Sequence, residues 1–137
     1  MIEFSVSVSG NYIDTLRGDG FIVSTATGST GYALAAGGPI VTPEFTGMSC
    51  VPIAPHTIMA RAFLTSSSDV VEITMSRERP AYCHFFADGQ NVVHPDGAVA
   101  ICATVKRGPG DIILLDRSAQ SFYRSVSRVF YGKANNS

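Results

Sequence analysis

Phe4-Ser5-Val6-Ser7-Val8-Ser9-Gly10-Asn11-Tyr12-Ile13-Asp14-Thr15-Leu16 decides the fold. Apolar Phe4, Val6 and Val8 alternate with Ser5 and Ser7, the period of a strand with one face turned inward. Ser9-Gly10-Asn11 reads as a tight turn, and Tyr12 to Leu16 as the returning strand. An antiparallel hairpin at the start sets the pattern for the rest of the chain. Phe21-Ile22-Val23 reads as a short buried strand. Further strands are predicted over Met48–Ile53, Val70–Met75, Tyr82–Ala87, Val99–Val105 and Ile112–Leu115. The separators carry turn residues, among them Asp88-Gly89, Pro95-Asp96-Gly97 and Gly108-Pro109-Gly110. Short strands at this spacing predict a mainly β chain folded as an antiparallel β-sandwich.

Two segments depart from the strand period. Ser29 to Ala36 is rich in Ala, begins on hydroxyl residues and runs into Gly37-Gly38-Pro39, which predicts a short helix. Ala119 to Tyr131 predicts a C-terminal helix, with Ser118 as its N-cap. Val126 follows Phe122 by four residues, and Val129 and Phe130 lie three and four further on, giving one apolar stripe. That stripe packs either within the chain or on a partner subunit. Residues 1–132 read as one domain and 133–137 as a frayed tail.

Composition removes several function classes. With 137 residues, 45% of them hydrophobic and 15% charged, the chain can bury a real core and is not a disordered segment. Ten Lys and Arg against eleven Asp and Glu leave no basic stripe for a nucleic acid. No apolar run approaches the ~20 residues of a membrane helix, and Met1-Ile2-Glu3-Phe4 does not open a signal peptide. Cys50, Cys83 and Cys102 are odd in number and lie in apolar stretches, which reads as buried, reduced thiols of a cytoplasmic protein. His56, His84 and His94 have no metal-ligand spacing, so no metal site is expected. No G-x-S-x-G elbow supports a hydrolase.

The chemistry concentrates in Asp19 to Pro39. A buried strand enters a loop of small hydroxyls and glycine, Ser24-Thr25-Ala26-Thr27-Gly28-Ser29-Thr30-Gly31-Tyr32, which opens onto the predicted helix. Such a junction offers backbone N–H groups and hydroxyls to a polar ligand, with the Tyr32 ring beside them for a base or sugar. The same residues also suit an ordinary strand-loop-helix joint capped by Ser and Thr, and composition alone leaves both readings open.

The string Ser24 to Glu44 closely resembles the signature of NAD kinases. Arg17-Gly18-Asp19-Gly20 looks like that family's R-x-D-G. Pro52-Ile53-Ala54-Pro55-His56 with Arg61 looks like its P-x-x-P-H and following arginine, and Asp88-Gly89-Gln90 like its D-G-Q turn. Phe122, Arg124, Arg128 and Phe130 resemble its C-terminal segment, so the likeness runs from Met1 to about Gly132. The resemblance implies a C-terminal domain of the enzyme that phosphorylates the adenosine-ribose 2′-hydroxyl of NAD with ATP or polyphosphate, giving NADP. It implies NAD contacts from Thr27, Thr30, Gly31, Tyr32 and Ala35 on the adenosine side. Arg17 and Asp19 are implied on the nicotinamide side, partly across a subunit contact, with Ala54 and Gln90 as further contacts and His56 as a possible pocket residue. Gly31 stands where the family usually has Ala.

The family's G-G-D-G and N-E motifs are not in the chain, so it reads as a fragment lacking the N-terminal catalytic α/β domain. The resemblance implies no catalytic residue here, negligible kinase activity and no cofactor bound by this chain alone; the parent enzyme would use Mg2+ with its phosphate donor. It also implies NAD or NADP as ligand and a homo-oligomer, dimer or tetramer, formed through this domain, with no nucleic-acid or membrane partner. Two other readings stand beside it: a domain of a related lipid (diacylglycerol) kinase, and a non-catalytic β-module that binds nucleotide or assembles.

Overall fold

A computed structural model describes residues 1–77, 83–113, 115 and 121–132. The chain divides into one unit, Met1–Arg107, and a second, Gly108–Ser137. The first unit contains β1 (Ile2–Val8), β2 (Asn11–Gly18), β3 (Gly20–Ser24), a 3-10 turn (Thr27–Thr30), α1 (Tyr32–Ala35), β4 (Ser49–Ile53), β5 (Phe63–Leu64), β6 (Val70–Met75), β7 (Phe85–Ala87), β8 (Gln90–Val92) and β9 (Cys102–Lys106). The second contains α2 (Phe122–Tyr131).

The opening hairpin forms as its alternation requires. Val8 pairs with Asn11, and Ser9 and Gly10 between them both have positive φ, 48° and 80°. Two consecutive left-handed residues give the turn whose twist matches that of the strands it joins. β1 then pairs on its other side with β6, and β6 with β9, giving an antiparallel sheet in the order β2-β1-β6-β9. β3, β4 and β5 make a second antiparallel sheet, and β7 and β8 a separate hairpin.

One core joins the two larger sheets. Phe4 and Val6 of β1, Leu16 of β2 and Val71, Ile73 and Met75 of β6 pack with Cys50 of the second sheet and with Met48 just before β4. Phe21 bridges the layers: its ring meets Phe4 edge-on at 5.8 Å and Phe63 at 6.5 Å. The sandwich expected from the strand period is therefore present. The second sheet has something on its other face too. Val51, only 1% exposed, abuts Gly38 just beyond α1, so the turn and short helix cover this sheet from outside.

Several expectations are corrected. The helix expected over Ser29–Ala36 is a 3-10 turn and a single α-helical turn, interrupted at Gly31. Its end is as the glycines indicated: Gly37 has φ 89° and donates to Leu34 O, while Gly38 donates to Ala33 O, the paired bonds of a Schellman stop. The Tyr82–Ala87 strand begins only at Phe85, and Tyr82 lies outside the described residues. The Val99–Val105 strand begins at Cys102, although Ile101 O still accepts from the Met75 amide at 2.8 Å. Ile112, Ile113 and Leu115 form no strand, and Leu114 lies outside the described residues. An apolar run resembles a strand by composition, but a strand also needs a ladder partner. α2 starts at Phe122, capped by Ser121, whose Oγ accepts from the Arg124 amide; Ser118 lies outside the described residues. β5 and β8 were not expected: two and three residues are too short to carry a period. Among the described residues no helix is long and apolar enough to cross a membrane.

The thiols do not share one environment. Cys50 is fully buried, and burial pushes its pKa up to about 12. Cys102 is exposed, contrary to expectation, because alternation along β9 turns Ala103 and Val105 inward and Cys102, Thr104 and Lys106 outward. At pH 8 a disulfide reagent is expected to modify Cys102 within seconds to minutes, and Cys50 only as the chain unfolds, since the attacking species is the thiolate. Comparable rates at the two sites by mass spectrometry would contradict this burial.

Candidate functional site

The signature block divides into two sets of residues. Ala26, Ser29 and Ala33 recur at helical spacing and are buried, with Ser29 at 0% exposure. Ser29 Oγ donates to Ala26 O at 2.6 Å and accepts the Val41 amide at 3.2 Å. One buried hydroxyl thus ties the 3-10 turn to the segment that returns after the Gly-Gly-Pro stop. Thr27, Gly28, Thr30, Gly31, Tyr32 and Ala35 form the opposite, exposed set. All five signature positions expected to contact NAD are in this exposed set, and Tyr32 is 70% exposed. Thr25 Oγ1 accepts the Gly28 amide, and Thr30 Oγ1 donates to Thr27 O, so hydroxyls brace the turn locally. The family's usual Ala would fit at Gly31, where an added Cβ meets only Gly28 O at 3.4 Å.

Beneath the turn lie Ser24 and Ser49, directly opposite one another in the β3–β4 register. Their buried hydroxyl oxygens have no hydrogen-bond partner among the described residues.

Arg17, Asp19, Ala54 and His56 form a second group, assembled by the backbone. The Asp19 amide donates to Ile53 O at 3.0 Å, and the His56 amide to Arg17 O at 2.8 Å. Gly18 is pressed between them: an added Cβ would lie 2.7 Å from Ile53 O. Ala54 holds φ 43°, a left-handed conformation an alanine rarely adopts without surrounding constraint. The Arg17 guanidinium is bound through Nε to Glu3, its cross-strand partner, and the Asp19 carboxylate lies 3.8 Å from the amino group of Met1.

The two groups lie at opposite ends of β3. Five extended residues separate them by roughly 13 Å or more. On the outer side of the second sheet an open cleft of about 360 Å3 runs from Ala36 and Gly37 to Pro52, Pro55 and Arg61. Its lining takes in Pro55 and Thr57 but not His56 between them. Gln90 stands elsewhere, on the β7–β8 hairpin, just after the turn made by left-handed Asp88 (φ 49°) and Gly89 (φ 78°). Ser29, Glu3, Ser24 and Ser49 were not singled out from the sequence. The helical spacing of Ser29 with Ala26 and Ala33 was there to be read; the partnership of Glu3 with Arg17 appears only once the register is known.

Fold and block together define a known class of domain. Residues 1–109 match the family model described as ATP-NAD kinase C-terminal domain. The NAD kinase of Methanoregula boonei is 40% identical over 128 residues, covering 93% of this chain and 46% of that protein. That of Nitrosospira multiformis is also 40% identical, covering 92% of this chain and 42% of that protein. Among solved structures, an Archaeoglobus fulgidus NAD kinase in complex with ATP is 35% identical with a TM-score of 0.67, covering 80% of this chain and 40% of that one. Yeast NADH kinase complexed with NADH has a TM-score of 0.75 over 99% of this chain and 42% of its own; at 20% identity it speaks for the fold alone. The chain belongs to the NAD kinase family, as a C-terminal domain of it. It spans less than half the length of these relatives.

Proposed function

We propose that this chain is the dinucleotide-binding part of an enzyme that moves the terminal phosphoryl group of ATP or polyphosphate onto the adenosine-ribose 2′-oxygen of NAD, giving NADP. The observation that carries the reading is the two-sided signature block: its buried residues build the turn, while Thr27, Thr30, Gly31, Tyr32 and Ala35 face outward together. Those five take the adenosine side; Arg17, Asp19 and Ala54, with Gln90, take the nicotinamide side, and His56 stands beside them. The comparisons favour this over a lipid kinase or a purely structural β-module. The separation of the two groups along β3 supports an oligomer in which each dinucleotide site is completed by a second copy. The chain acts in the cytoplasm, with no nucleic-acid or membrane partner.

The transfer removes a proton from the 2′-hydroxyl and neutralises charge on the moving phosphoryl group. The family's G-G-D-G and N-E motifs are not in this sequence, and we infer that this chain alone turns over negligibly. Among the described residues no three His, Cys, Asp or Glu side chains are grouped to hold a metal.

Titrating NAD and NADP into the isotope-labelled chain tests the reading. Amide shifts are expected at Asp19, Thr27 to Tyr32 and Ala54. Tyr32→Ala should weaken binding about tenfold or more, the scale of losing one aromatic stacking surface under a base. Saturating dinucleotide with no shift in those segments would sink the assignment.

A further inference from the structure

The segment between β4 and β5 is held at both ends. The His56 amide donates to Arg17 O at 2.8 Å near its start, and Phe63 pairs with Cys50 where it ends. Between these points the Ala60 amide returns to Thr57 O at 3.3 Å and closes a turn. Arg61 follows that turn directly and is exposed. It lines the open cleft of about 360 Å3 on the outer side of the second sheet. Among the described residues of that lining, Arg61 alone is charged, and no described carboxylate is paired with it. The cleft takes in Ala36, next to Ala35 of the exposed set, and Pro55, which stands between Ala54 and His56. It therefore borders residues of both groups assigned to the dinucleotide.

We propose that Arg61 is a phosphate contact of the dinucleotide site: its guanidinium takes the pyrophosphate that joins the two nucleosides. The inference rests on the dinucleotide reading above. A pyrophosphate bridge carries two negative charges and offers only acceptors, which the planar fork of guanidinium N–H donors matches. Val51, Pro52 and Pro55 bring no side-chain donor or charge to the cleft, so among the described lining the counter-charge falls to Arg61. Apolar walls also strengthen an attraction that open water would weaken. The assignment concerns the path that leaves the turn, so it holds whichever copy receives the nicotinamide end.

The test titrates adenosine, which has no phosphate, and ADP, which carries a pyrophosphate without nicotinamide, into three labelled chains: unaltered, Arg61→Gln and Arg61→Lys. The unaltered chain is expected to bind ADP roughly tenfold or more tighter than adenosine, the scale of one hydrogen bond to a charged group. In Arg61→Gln that gain should vanish, so that ADP binds no better than adenosine. Arg61→Lys keeps the charge without the fork and should fall between. The gain should also shrink as salt is raised, since the cleft is open to solvent. Arg61→Gln that keeps the full ADP gain overturns the proposal. So does a parallel loss of adenosine and ADP, which is what a merely structural arginine predicts.

Inorganic pyrophosphate separates failure of the dinucleotide reading from failure of this one. It should shift the Arg61 Nε–H and the amides of Ala36, Gly37, Ala60 and Ala62, and these amide shifts should be lost in Arg61→Gln. If adenosine and NAD move no amide from Thr27 to Tyr32, the wider reading falls. The pyrophosphate titration still decides the role of Arg61: shifts around the cleft that depend on the guanidinium support it, and their absence at saturating pyrophosphate overturns it.

Discussion

Gly47→Ala is expected to destabilise the chain by an amount at or above the ~3 kcal/mol upper end of ordinary overpacking. A Cβ built on Gly47 falls 1.9 Å from the Thr65 carbonyl oxygen and 2.5 Å from the Phe45 ring. The ring can swing aside, but the carbonyl cannot. Thr65 is fastened to the same stretch by two bonds, its amide donating to Met48 O at 2.9 Å and its hydroxyl accepting the Met48 amide at 3.1 Å. Relieving the clash therefore means separating the entry to β4 from the exit of β5, at the edge of the core. Against the 5–15 kcal/mol that holds a typical domain, a loss of ~3 kcal/mol is a fall on the order of 10 °C in Tm. Thermal unfolding followed by circular dichroism measures it. A change under about 2 °C would mean that this crossing is far looser than the contact distances state.

Ser29→Val is the second large effect, and it reaches function through structure. Valine has nearly the volume of serine plus one methyl group but neither donates nor accepts. The substitution leaves the buried Val41 amide without its acceptor and removes the bond to Ala26 O. Each buried polar group left unsatisfied costs about 1–3 kcal/mol. The loss falls on the link that presents the exposed face of the turn. Tm should drop, and dinucleotide shifts at Thr27 to Tyr32 should disappear while those at Asp19 and Ala54 persist. Ser29→Thr keeps the hydroxyl, and calorimetry should find it closer to the unaltered chain. If Ser29→Val binds dinucleotide with unchanged shifts in the turn, the turn is held by something other than this hydroxyl.

The sheets were legible because their signal is periodic and local. Phe4, Val6 and Val8 show their inward face in the primary structure, and Ser9-Gly10 names the turn after them. The illegible parts depended on pairing. Phe63-Leu64 is a strand only because Ser49 and Cys50 lie beside it. Ile112 to Leu115 has the composition of a strand without being one. Cys102 sits in an apolar stretch, yet its register on β9 turns it to solvent. The signature block was visible as a candidate site, whereas its division into a buried and an exposed face was not, because that needs the neighbouring sheet. Glu3 lies fourteen positions before Arg17, and only the hairpin register makes them partners.

β3 connects the two residue groups without a hinge, and this makes its length a matter of phase. Side chains on a strand point alternately up and down, so adding or removing one residue turns everything beyond it through half a revolution. Phe21 and Val23 would leave the core, and the Thr-Gly-Ser-Thr turn would emerge on the wrong side of its sheet relative to Asp19. Substitution at Ile22 or Val23 is a question of packing; a change in residue count is a question of parity. The strand between these two motifs therefore tolerates substitutions that keep Phe21 and Val23 apolar and packed, and is closed to single-residue indels.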